Sequence, residues 1–172
     1  MKADYDMIVI GYSELSAANA SKVKDFVDQG GVVFALHDAG VGTRINQAFG
    51  GSTVGNGSSN AQARTLNNQI SNGIFGTGGG ITITGAQNSG LPAVSNIPSG
   101  SFILGYVNNP NATSTANAAV YIAGTKGRAI FVYDEGVYRG TSVAGITIDT
   151  SQEIFLHNLM SYALQKVGFS AQ

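Results

Sequence analysis

The chain has no cysteine and no tryptophan, only two histidines and three prolines, and charged residues fill just 11% of its 172 positions. Each scarcity removes a class of chemistry. Without cysteine there is no disulfide, no thiolate metal ligand and no thiol nucleophile, and the redox compartment stays open. A net charge of −1 leaves no electrostatic footprint for nucleic acid or an anionic membrane. No apolar run approaches the roughly 20 residues of a membrane span. No signal-peptide pattern is read ahead of Asp4.

What is abundant is glycine, 24 residues of it, in a chain rich in Asn, Ser and Thr and poor in Lys and Glu. Hydrophobic residues at 43% argue for a globular chain. Neither an internal repeat nor a linker divides it, so 1–172 reads as one domain, long enough to bury on the order of 70% of its unfolded surface.

The organising stretch is Gly30-Gly31-Val32-Val33-Phe34-Ala35-Leu36-His37-Asp38-Ala39-Gly40. It reads as a helix stop, a buried strand and a polar tip. Ahead of it, residues 6–11 form a short buried strand. Ser16 offers an N-cap to a helix running to about Gln29, with Ala20, Val23, Phe26 and Val27 on one face. Gly30 supplies the stop. Two buried strands joined by one helix make a βαβ unit, and hence a parallel pair.

Further on, 41–49 reads as a short helix, 61–70 carries weak helical potential, and 81–84 alternates as a half-exposed strand does. Residues 101–107, 118–123 and 128–133 read as strands, the last two joined as a hairpin through Thr125-Lys126-Gly127. Thr150-Ser151-Gln152-Glu153 is a capping box for a last helix with Leu156, Leu159, Met160, Ala163 and Val167 as its core stripe, ended by Gly168. The expected fold is a three-layer α/β sandwich, flavodoxin-like, with a mostly parallel sheet and an antiparallel extension near the C-terminus.

The expected strand tips carry Tyr12, Ser13 and Glu14, then His37 and Asp38, then Asp134 and Glu135. An imidazole with several carboxylates can hold a divalent cation or run acid–base chemistry. The same residues can simply cap strand ends and bind water. Gly11-Tyr12-Ser13-Glu14-Leu15 resembles a Gly-x-Ser-x-Gly elbow with its last glycine replaced, or else an ordinary loop at a helix start. Tyr133, Tyr138 and Arg139 flank Asp134 and Glu135 and suit sugar hydroxyls, or serve as loop anchors. The binding candidates are therefore Tyr12, Ser13, Tyr138 and Arg139. His157 shares a helix face with Glu153 and Ser161, away from the core stripe, and reads as a surface residue. Residues 76–80 lack the Lys-Ser/Thr of a phosphate loop and take no phosphate. Asn56-Gly57-Ser58 and Asn111-Ala112-Thr113 match glycosylation acceptors.

Tyr5-Asp6-Met7-Ile8-Val9-Ile10-Gly11, the helix ending in Phe26-Val27-Asp28-Gln29-Gly30-Gly31 ahead of strand Val32 to His37, and Gln47-Ala48-Phe49-Gly50-Gly51 together resemble the class I glutamine-amidotransferase-like superfamily. The ThuA-like proteins and related bacterial secreted domains are the nearest branch in pattern. Ile70-Ser71-Asn72-Gly73-Ile74-Phe75-Gly76, and Gly127 to Asp134 leading to a helix ending in Tyr162-Ala163-Leu164, fit the same pattern. Amidotransferases of this class carry a nucleophilic Cys on the elbow where this chain has His37-Asp38, so glutamine hydrolysis by that mechanism is excluded. ThuA-like proteins carry a His near this position. The family's opening strand and helix, expected ahead of Tyr5, are missing.

The resemblance implies a non-catalytic binding or structural module of a larger bacterial protein, secreted or at the cell surface. Its partner is then the rest of that protein or a partner subunit. The alternative is a ThuA-like carbohydrate-active or metal-assisted enzyme using His37, Asp38, Asp134 and Glu135. No resident cofactor is expected under the first reading, and a divalent metal under the second.

Overall fold

The computed structural model describes residues 4–37, 41–55, 62–87, 91–107, 116–133, 135–138 and 143–168. Its first unit follows directly from local sequence. The apolar run Met7–Ile10 forms β1. Ser16 then caps α1 (Ala17–Asp28), its hydroxyl accepting the Asn19 N–H at 3.2 Å. Ala20, Val23, Phe26 and Val27 are the helix's buried face, as their spacing requires. Strand β2 (Val32–His37) returns parallel to β1, with Met7 opposite Val32 and Ile10 opposite Ala35.

The other elements are α2 (Thr43–Ala48), β3 (Gln62–Thr65), β4 (Thr82–Gln87), β5 (Phe102–Val107), β6 (Asn117–Ala123), β7 (Ala129–Tyr133) and α3 (Ser151–Lys166). The seven strands form one sheet in the order β1-β2-β7-β6-β5-β3-β4. Only β1–β2 and β2–β7 pair parallel; β7–β6, β6–β5, β5–β3 and β3–β4 are antiparallel.

The fold is α/β, but the expected mostly parallel, flavodoxin-like three-layer sandwich is wrong. The sheet is mixed, mainly antiparallel and curled towards a half-barrel. The reason lies in the connections. Parallel neighbours need a crossover of a dozen or more residues, usually a helix, and between consecutive strands only α1 supplies a helix of that length. β6 and β7 are joined by the tight turn Thr125–Gly127, which returns the chain antiparallel. The helical reading of 61–70 is also corrected: Gln62–Thr65 alternates exposed and buried and pairs on both sides, with β4 and β5.

Strand alternation sorts the core onto two faces. Under α1 and α2 lie Ala35, His37, Tyr121, Phe131 and Tyr133. Phe131 stacks on Tyr121 with centroids 4.7 Å apart and meets Phe49 edge-on at 5.8 Å. Under α3 lie Phe34, Val120, Ile122 and Ile130, with Phe155 and Leu159 closing from the helix.

Both α2 and α3 are fastened by side-chain amides. Gln152 accepts the Thr84 N–H at 2.8 Å and donates to the carbonyls of Thr84 and Val137, each at 2.9 Å. Asn158 accepts the Phe75 N–H and donates to the carbonyls of Ser71 and Gly76, all at 2.9 Å. Asn46 of α2 donates to the carbonyls of Ser52 and Asn96 at 2.8 Å and accepts from the Tyr121 hydroxyl at 2.9 Å. These amides satisfy main chain that has no ladder partner. Gly78 lets one such segment touch α3 directly, because a Cβ there would fall 2.7 Å from the Phe155 Cα.

Asn158→Leu takes away the partner of the Phe75 N–H and of the Gly76 carbonyl and leaves the Ser71 carbonyl with the Gly78 N–H alone. It is expected to cost about 2–4 kcal/mol, read as a lower urea midpoint at unchanged slope. A loss within about 0.5 kcal/mol, the range of an ordinary surface substitution, would show that Asn158 does not fasten the helix.

Candidate functional site

The parallel strands β1, β2 and β7 end at one edge of the sheet, with His37 opposite Tyr133 in the ladder. That edge gathers Tyr12, Ser13, Glu14, His37 and Tyr133. Asp38, Asp134 and Arg139 of the expected site, and both glycosylation acceptors, lie outside the described residues. Glu135 opens a 3-10 turn, Glu135–Tyr138, directly beyond β7.

Glu14 has a defined task. Helix α2 begins at Gly42, which has no side chain to cap it. The Glu14 carboxylate does so from 28 residues away in sequence: one oxygen accepts the N–H groups of Gly42 and Thr43, the other that of Arg44 at 2.8 Å. A carboxylate at this end also suits the helix dipole. Sequence reading placed Glu14 at the tip without this partner. The available signal was a helix start lacking any Ser, Thr, Asp or Asn cap.

His37 has no exposed surface, and its ring lies 5.3 Å from that of Tyr133, also fully buried. Among the described residues neither ring nitrogen of His37 nor the Tyr133 hydroxyl has a hydrogen-bond partner. Gly42 closes over both. Its φ of +101° favours glycine, and a Cβ there would fall 2.6 Å from His37 Cδ2 and 2.9 Å from the Tyr133 hydroxyl. Burial lowers the His37 pKa to about 4, while the Glu14 charge pulls weakly the other way. Burial also drives the Tyr133 and Tyr121 phenols well above their ordinary range. At neutral pH the cluster is therefore a neutral imidazole beside neutral phenols. The buried Tyr133 ring offers no stacking face to a sugar.

The remaining candidates separate. Tyr12 and Ser13 are exposed in the loop before α1. Tyr138 sits on the opposite face of the sheet from His37, edge-on to Phe34 at 6.2 Å. There it lines a groove of ≈450 Å³ between α3 and residues 143–148, together with Leu156, Met160, Glu153 and His157. His157 is exposed, as its helix position indicates, with Nδ1 2.9 Å from the Glu153 carbonyl.

Among the described residues no group of three or more His, Asp or Glu side chains is placed to hold a metal ion. No helix among them is long and apolar enough to cross a membrane. Comparison of the chain with protein-family models and with curated proteins finds no match.

The buried imidazole makes stability pH-dependent with a definite sign. The unfolded ring takes up its proton near 6.5 and the folded ring only at about 4. Between those values the unfolded chain binds more protons, so stability falls as the pH is lowered. Over that window His37 should account for about 3 kcal/mol. His37→Leu fills the same space without titrating. Denaturant unfolding at pH 7.5, 5.5 and 4 should show a shallower loss for the variant, whereas equal slopes would mean that the ring is not buried as a neutral base.

Proposed function

We propose that the chain is a non-catalytic binding or structural module, and, following its sequence resemblance, that it works as part of a larger bacterial protein that is secreted or at the cell surface. One observation carries the reading: the His37 imidazole at the strand tips is fully buried beneath Gly42, beside a Glu14 carboxylate engaged in capping α2. A general base must reach the proton it takes, and a metal ligand must reach its ion. An imidazole without exposed surface and a carboxylate holding three main-chain N–H groups are groups of a packed strand end. The absence of cysteine from the elbow points the same way.

A second reading keeps some support from His37 and Tyr133 themselves. Two buried polar groups without partners among the described residues are uncommon in folded proteins. They are what a ThuA-like carbohydrate-active or metal-assisted enzyme would present if His37 worked with Asp38, Asp134 and Glu135.

Thermal melts separate the two. A ligand at one hundred times its Kd adds about 2.7 kcal/mol, a rise of roughly 5–10 °C for a chain of this size. The module reading predicts that Mg²⁺, Mn²⁺, Zn²⁺ and a panel of monosaccharides leave the wild-type transition in place. A rise of that size in the wild type, absent in His37→Leu, would establish the enzyme reading instead.

A further inference from the structure

The sheet ends at β4 on one side and β1 on the other, and the two edges are treated differently. At β4 the Ile81 carbonyl accepts the Thr65 N–H of β3, so alternation turns the main-chain groups of Thr82 and Thr84 away from the sheet. The Gln152 amide takes up both groups of Thr84, accepting its N–H and donating to its carbonyl, as a neighbouring strand would. The 3-10 turn beyond β7 covers the next position, where a Cβ on Gly85 would overlap the Gly136 carbonyl. That edge is sealed.

Strand β1 has no such cover among the described residues. The Val32 N–H donates to the Asp6 carbonyl at 3.0 Å. Alternation then turns the main-chain groups of Ile8 and Ile10 towards β2, and those of Met7, Val9 and Gly11 outward. Edge strands are ordinarily kept from pairing by charge, proline, a bulge or cover. Met7-Ile8-Val9-Ile10 has no charge and no proline, and it pairs with β2 without a register shift, so its shortness is its one safeguard. Val9 lies opposite Phe34, hence on the α3 side of the sheet, and is 55% exposed. Tyr5 and Tyr12 stand exposed at the two ends of the strand. A row of outward donors and acceptors sets the chemistry of the partner, which is another extended main chain.

We propose that β1 is the seam of a two-fold homodimer, pairing antiparallel with β1 of a second copy so that one sheet runs through both. β1 offers no charge by which a foreign strand could be chosen, whereas a second copy brings a matching register with it. A two-fold axis that joins two such edges stands perpendicular to the sheet, so facing residues lie on the same side of it. With the axis at Val9, the two Val9 residues exchange N–H and C=O, and Met7 does the same with Gly11 of the other copy. Ile8 then lies against Ile10 on the α1 side. The outward main-chain groups of Met7, Val9 and Gly11 are all paired, and no charged residue stands opposite β1. Moving the axis to Ile8 would set Asp6 against Ile10.

Sedimentation velocity from micromolar to millimolar concentration should show a concentration-dependent dimer. Val9→Lys and Val9→Glu each put like charges on the axis and should weaken it by at least about tenfold. An equimolar mixture of the two variants should recover the dimer, because opposite charges then meet across the axis. Unchanged far-UV circular dichroism and melting of each variant would show that folding is intact. Independently of any variant, hydrogen exchange at the Met7 and Val9 amides of the wild type should slow as concentration rises. A wild type that stays monomeric at millimolar concentration would overturn the proposal and leave the edge to a foreign strand. A mixture as weak as the single variants, or a dimer whose Val9 amide exchanges at the same rate at every concentration, would overturn the β1 seam.

Discussion

Main-chain groups that lack a ladder partner must still be satisfied when they are buried, and in this fold side-chain amides do it. Asn46, Gln152 and Asn158 together hold main-chain groups of seven residues, from Ser52 to Val137. Without them α2 and α3 would lose the hydrogen bonds that tie them to these segments, each worth about 0.5–1.5 kcal/mol net. An amide both donates and accepts and adds no charge, while glycine lets the segment come close enough to be reached.

The same logic extends to the strand tips. Glu14 serves α2 as the amides serve the loops, and Gly42 presses that helix start down onto His37 and Tyr133. Of the polar residues at these tips, His37 is held by packing and Glu14 by backbone. Tyr12 and Ser13 still face outward.

Elements governed by neighbouring residues were legible: β1, α1 with its Ser16 cap, β2, the β6–β7 hairpin, and the Thr150 capping box. Direction of pairing beyond the parallel β1–β2 unit and the β6–β7 hairpin was not, because it depends on what lies between strands far apart in sequence. The glycine-rich chain between β3 and β4 gives no helix to carry a crossover, so the sheet turns antiparallel. Buried Gln152 and Asn158 look like any solvent-facing polar position in a helix, and nothing local distinguishes them. Glu14 and the start of α2 are 28 residues apart and form no motif. Tyr133 and Tyr138 looked like one cluster by spacing, but a single 3-10 turn carries Tyr138 to the other face of the sheet.

The central claim is that the strand-tip imidazole is part of the packing. A side-chain NMR titration of His37, with and without Zn²⁺ or Mg²⁺, tests it most directly. The account predicts a ring that stays neutral well below its ordinary value of 6.5, takes up its proton only at about 4, and does not respond to either ion. A ring that titrates near 6.5 and shifts on adding metal would contradict it.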